Sequence, residues 1–391
     1  ANDFTGAVSL SNSGSNAVGV TDANAIDLGT IGVGQNLAVT ASGTITDTGV
    51  ATVAGTSTFD NNGGSNAAIT LDSVSAYTGN VTFTTDAGSN VTINDSTAFV
   101  IQSGLNVNNL NLTAGGTVTD AGNIDIDGTL TVSAAGQNVT LDGGGNDLTG
   151  AVTLTGAAVT LVDTTATAIA GITATGALSA TSGGAITQSG AIDADSTSSF
   201  TAGANAITLT QGANDFTGAV SLSNSGSNAV ALTDANALDL GTVGVGQNLT
   251  ITATGGALTD SGNVTVAGLA TIVSTGQSVT LGDSTTANFG SLDFAGAAVT
   301  ISEGSAMAVA ASEATGALAL VASGAITQSG AIDADSTSSF TAGGNAITLT
   351  QAANDFTGAV SLSNSGTNDV QLRDANALDL GTVGVGQNLT I

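Results

Sequence analysis

The sequence predicts an all-β fold, a parallel β-helix or β-solenoid, running as one continuous repeat array through residues 1–391. Three observations lead there. Residues Gly184–Ile251 return as Gly324–Ile391 with six changes, three of them on alternate positions: Ala229, Ala231 and Thr233 become Asp369, Gln371 and Arg373. Between them, Val230 and Leu232 return as Val370 and Leu372. Side chains of a strand alternate between two faces, so one face here is held aliphatic while the other varies in water. The second observation is a long period. The first Val of Phe-Thr-Gly-Ala-Val-Ser-Leu and its weaker relatives falls at Val8, Val81, Val152, Val220, Leu292 and Val360, with spacings of 73, 71, 68, 72 and 68. This is a superrepeat of about 70 residues. The third is composition: 55 Gly, no Pro, no Trp and one Tyr. With β-branched residues dense and no 3.6-residue apolar stripe, helices are excluded. A string of antiparallel sandwiches would call for linker prolines and large core aromatics. Small, uniform aliphatics suit a narrow stacked core.

Within one unit the strands read Ala219–Leu222, Ala229–Thr233, Ala237–Leu240, Asn248–Thr252, Ala257–Asp260 and Val264–Ala267, each closed by a Gly, Asn, Asp or Ser turn. Turns absorb the variation in length: the copy at Asp60–Ala67 is longer than Thr201–Ala206 by Asn, Gly and Ser. About three strands make a coil, so each superrepeat is expected to hold about three coils of roughly 23 residues. About 17 coils at ~4.8 Å each then give a rod of roughly 80 Å. On that count Val8, Val81, Val152, Val220, Leu292 and Val360 line one side. The chain opens on Ala1-Asn2-Asp3-Phe4, found again at Ala213–Phe216 and Ala353–Phe356, and stops inside Gln387–Ile391, whose copy at Gln247–Ile251 continues. It reads as an excerpt of a longer chain, whose ends meet further copies of the same repeat, end to end or laterally.

Charge and composition exclude several functions. Thirty acidic residues face one basic residue, Arg373, for a net charge of −29. Nucleic acid and anionic lipid both need Lys or Arg to neutralise phosphate, so neither is an expected partner. There is no Cys, hence no disulfide and no thiolate metal site. No apolar run approaches the ~20 residues of a membrane span. Disorder fits poorly, because 41% of residues are hydrophobic, only 8% are charged, and the aliphatics alternate.

Four phrases carry a resemblance: Gly-Ala-Ile-Thr-Gln-Ser-Gly (184–190 and 324–330), Asn-Asp-Phe-Thr-Gly-Ala-Val, Asp-Ala-Asn-Ala-Leu-Asp-Leu-Gly-Thr (234–242 and 374–382) and Val-Gly-Val-Gly-Gln-Asn-Leu-Thr. They resemble the repeat tracts of giant bacterial surface proteins similar to filamentous haemagglutinin and other β-helical adhesins. The resemblance covers nearly the whole chain. It implies a right-handed parallel β-helix, secretion, and a cell-surface or filament role. It transfers no functional residue, because such tracts have none.

The sharpest chemical candidates are the acid pairs Asp193/Asp195, Asp333/Asp335 and Asp125/Asp127, whose i, i+2 spacing projects both carboxylates from one face with Ile192, Ile124 and Ile126 inward. Paired carboxylates hydrolyse glycosides. A β-helical polysaccharide enzyme would want a base beside them, and an active site needs one location, whereas these pairs recur with the repeat. They are read as a solvated face. Gly143–Leu148 is similar to a calcium nonapeptide but one residue short and single, so only weak, non-specific calcium binding is expected. Gly-Val-Gly-Gln-Asn (32–36, 244–248 and 384–388) lacks the third Gly, the Lys and the helix of a phosphate loop. It is a turn in which Asn36, Asn248 and Asn388 satisfy backbone groups. Thr82/Thr84, Thr117/Thr119 and Thr129/Thr131 suggest an ice lattice, but do not recur at a fixed spacing. Phe4, Phe216 and Phe356, with Phe200 and Phe340, read as core stacks.

The expectation is therefore a non-enzymatic structural rod, extracellular or on a bacterial cell surface. It serves as an adhesin stalk or filament shaft in adhesion or biofilm, with no catalytic, cofactor or metal residues. Its partners are further repeats and cell-surface or matrix polysaccharide. The alternatives are a polysaccharide-degrading enzyme, or a lattice that binds calcium or ice.

Overall fold

A computed structural model describes residues 2–391. Among them there is no helix, and strands stack in parallel ladders. The chain divides into two compact units, Ala1–Ala194 and Asp195–Ile391.

In the first unit the strand Val8–Asn12 pairs with Ile26–Val33. The stack continues through Ile45–Asp47, Ile69–Tyr77, Asn90–Asp95, Asn109–Ala114, Leu130–Ser133 and Ala151–Gly156. Alternation turns every second side chain inward. Ile26, Ile45, Ile69, Val91, Leu110, Leu130 and Val152 thus form one buried aliphatic column, one residue per coil. Each such side chain contributes on the order of 1.5–3 kcal/mol when removed from water. A second stack joins Val18–Thr21, Leu37–Thr40, Ser57–Asp60 and Val81–Thr84.

The second unit repeats the plan. One stack runs from Val220–Asn224 through Leu238–Val245, Leu258–Asp260, Val279–Leu281, Val299–Glu303, Leu318–Ala322 and Ser338–Thr341 to Val360–Ser363. Another joins Val230–Asp234, Leu249–Ala253, Val264–Ser274 and Ala287–Gly296.

Counting steps along these stacks corrects the expected coil. Val8 and Val152 lie seven coils and 144 residues apart, and Val220 and Val360 lie seven coils and 140 residues apart. A coil therefore takes about 20 residues instead of 23. Two superrepeats make seven coils, so one makes three and a half rather than three. The expectation that the six marker residues line one side fails accordingly: in the first unit Val81 falls on another stack than Val8 and Val152, and in the second Leu292 falls on another than Val220 and Val360. The physical reason lies at the corners. Some strands run round a bend without a loop. The first half of Ile26–Val33 pairs with Ile45–Asp47 and its second half with Ala51–Val53, and Leu238–Val245 is split the same way. Fewer residues close each coil. The near-identical copies stand 140 residues apart, the shortest distance that restores every residue to its own face.

The strand orientation expected from the copies holds. Val230, Leu232, Val370 and Leu372 are buried, Gln371 and Arg373 are exposed, and Asp369 is half-buried. None of the six changes touches a buried position. Turns stack as tightly as strands: a Cβ added at Gly150 would strike the carbonyl oxygen of Gly128, one coil earlier.

Candidate functional site

The acid pairs sit where alternation places them. Ile192, Ile332, Ile124 and Ile126 are buried; Asp193, Asp195, Asp333, Asp335 and Asp127 are exposed, and Asp125 is half-buried. Stacking adds a feature that spacing concealed. Glu313 is in register with Asp333, and Asp333 with Asp355, so three carboxylates line up at one per coil, about 4.8 Å apart. Partial desolvation, then the like charges of Asp335, Asp355 and Glu313, holds Asp333 above the usual carboxylate range. Asp125 is raised in the same way by desolvation, Asp127 and Asp147, and it accepts a hydrogen bond from Asn106 Nδ2 at 2.7 Å. No Lys or His exists in the chain to serve as a partner acid. Among the described residues, no group of three or more His, Cys, Asp or Glu is arranged to hold a metal ion.

A second set of acids went unnoticed in the sequence. Asp22, Asp95, Asp163, Asp234, Glu303 and Asp374 recur at spacings of 73, 68, 71, 69 and 71 and point inward. The first five are buried and Asp374 is half-buried. Each accepts the backbone N–H of a residue one coil earlier: Phe4, Tyr77, Leu148, Phe216, Phe289 and Phe356 respectively, at 3.0–3.2 Å. These carboxyls tie each coil to its neighbour where a strand gives way to a turn. The other oxygen of Asp95, Asp234 and Glu303 is buried without a partner. Desolvation outweighs the hydrogen bonds that favour the charged form and pushes all three above their ordinary range. The signal was available: in Val18-Gly19-Val20-Thr21-Asp22 the acid shares the parity of the buried valines, and the same holds at Val230, Leu232 and Asp234.

Other turns are spent on structure. In Gly143–Leu148, Asn146 is buried, accepts the Ile124 N–H and donates to Asp120, which also accepts the N–H groups of Asp142 and Gly143. Asn36 and Asn248 accept the N–H of Thr56 and of Leu269, each in the next coil. Asn388 departs from this, donating to Asp369. The rings Phe200/Phe216 and Phe340/Phe356 are buried edge-to-face pairs with centroids 6.0 and 5.7 Å apart, as expected of core stacks. Phe4, which no such ring covers, is exposed. A cavity of about 280 Å³ in the first unit has Val81, Phe83, Phe99, Ile101 and Leu105 in its lining and bears no charged group.

The threonines correct a sequence-based premise. Thr82 is exposed and stacks on Thr58, and Thr119 stacks on Thr140. Thr131 lies in an outward row with Thr92, Asn111 and Thr153. The absence of a fixed spacing in sequence does not carry into space, because turns of unequal length bring the strands back into register.

The family described as repeats of unknown function (DUF5649) matches five successive segments, residues 15–84, 88–155, 156–223, 227–292 and 296–363. No curated protein and no solved structure matches the chain. No helix among the described residues is long and apolar enough to cross a membrane.

Proposed function

Because the chain belongs to the DUF5649 repeat family, whose unit occurs in it five times, we propose that it is a structural, non-enzymatic segment of a secreted or cell-surface protein. It acts as an acidic stalk or filament shaft in adhesion, biofilm or extracellular matrix. What carries the reading is the division between interior and exterior: the two near-identical copies differ at six positions, and none of them is buried. The repeat keeps what stacks and leaves the solvated face free. Its acids support no catalytic role, since one set anchors turns and the other stands in rows of like charge with Arg373 as the chain's one base. In this reading calcium acts by diffuse screening. Partners are further copies of the repeat, end to end or laterally, and polysaccharide of the cell surface or matrix.

The test is to label intact producing cells with antibodies raised against the folded segment, and to image the purified chain by electron microscopy. Surface labelling and slender particles are expected. Recovery of the protein in the cytosol alone, or release of reducing ends from acidic polysaccharides by the purified chain, would overturn the proposal.

A further inference from the structure

One block of the first unit keeps two long outward rows in register through four successive strands. Asn90–Asp95, Asn109–Ala114, Leu130–Ser133 and Ala151–Gly156 pair in unbroken register. On either side the ladder slips, between Ile93 and Asp95 towards Ile69–Tyr77, and between Val152 and Thr153 towards Thr167–Ala174. Within the block, two outward positions per strand form two parallel rows. The first is Thr92, Asn111, Thr131 and Thr153; the second is Asn94, Thr113, Ser133 and Thr155. Neighbours stand about 4.8 Å apart across the strands and about 6.6 Å apart along them.

None of the chain's 30 acidic residues falls on this grid, although outward positions elsewhere carry them freely. The hydroxyls of Thr92, Thr113, Thr131, Thr153 and Thr155 make no hydrogen bond among the described residues, which leaves them for a ligand. Threonine is stiff at χ1, and a parallel ladder fixes its backbone, so little freedom is lost on contact.

We propose that this face binds ice. A compact ligand has no use for eight equivalent positions, whereas a surface repeating in two directions gains from every row. A glycan chain repeats in one direction and is held in clefts by aromatic side chains; this grid is open and contains no aromatic residue. A neutral field of hydroxyl, amide and methyl groups at fixed two-dimensional spacing matches ordered water. The site stands apart from the structural reading above and survives or fails without it.

The experiment uses the full 391-residue chain. The gap between melting and freezing points is measured on single ice crystals, and labelled protein is tested for binding to a growing ice surface. Thr131→Tyr and the more exposed Thr113→Tyr break the grid; Thr280→Tyr, on an outward row of the second unit, is the control, and circular dichroism checks each fold. A measurable gap is expected, lost in both grid variants and kept in the control. No gap from the folded chain, or equal loss in grid and control variants, overturns the proposal. So does retention on crystalline cellulose without ice binding, which would assign the face to a flat glycan.

Discussion

Val230→Asp offers the most direct trial of the stacked interior. Val230 is buried between Ile207 and Leu249, in register with both. Removing its apolar side chain costs about 1.5–3 kcal/mol. The incoming carboxyl meets an aliphatic column and must enter neutral. Holding an aspartic acid of ordinary pKa ~3.9 protonated at pH 7 costs about 4 kcal/mol, at ~1.4 kcal/mol per unit. The loss is therefore about 6 kcal/mol at pH 7 and only about 2 at pH 4, where protonation is almost free. Ala231→Asp, one residue away on the outer face, should stay within about 0.5 kcal/mol. In a quasi-one-dimensional stack the damage is local. The assay is amide hydrogen exchange at Ile207–Leu209, Val230–Asp234 and Leu249–Ala253, corrected for intrinsic rates, at both pH values. Equal loss for the two variants, or a Val230→Asp loss that does not shrink at pH 4, would refute the reasoning.

Three further outcomes follow. Burial lifts Asp47, Asp95, Asp234 and Glu303 above their ordinary values of 3.8 and 4.5, so the stability they supply is complete below those values and is lost as pH rises through the lifted ones. The melting temperature should accordingly fall as pH rises above those ordinary values, and a rise there would contradict the burial argument. Phe340→Ala removes a fully buried ring paired with Phe356 and should cost about 3–5 kcal/mol, read as faster exchange in Ser338–Ser363. Gly150→Ala drives a Cβ into the Gly128 carbonyl and should cost about 1–3 kcal/mol by thermal melting, whereas Gly144→Ala, with nothing within 4 Å of its Cβ, should be close to neutral.

Local parity was readable from residues alone. The orientation of Val230, Leu232, Val370 and Leu372 depends only on which neighbours alternate with them, and the long period only on counting. The coil length was not readable, because a strand such as Ile26–Val33 turns a corner with no loop residue to mark it. The buried acids were legible but overlooked: parity with the buried valines beside them places Asp22 and Asp234 inward, and only the i, i+2 pairs draw the eye as carboxylates. The threonine grid was hidden for the opposite reason. Its first row is separated by 19, 20 and 22 residues in sequence, and only the stacked turns make those distances equivalent.

The half-coil left over by each superrepeat bears on how such a gene can change length. A recombination event that adds or deletes one unit swings every later side chain by half a revolution, so a patch that faced a partner comes to face away. Adding or deleting two units leaves the pattern in place. Selection on any one-sided surface would therefore pass even steps and purge odd ones, and lineages carrying this array should differ in length by multiples of about 140 residues more often than by 70.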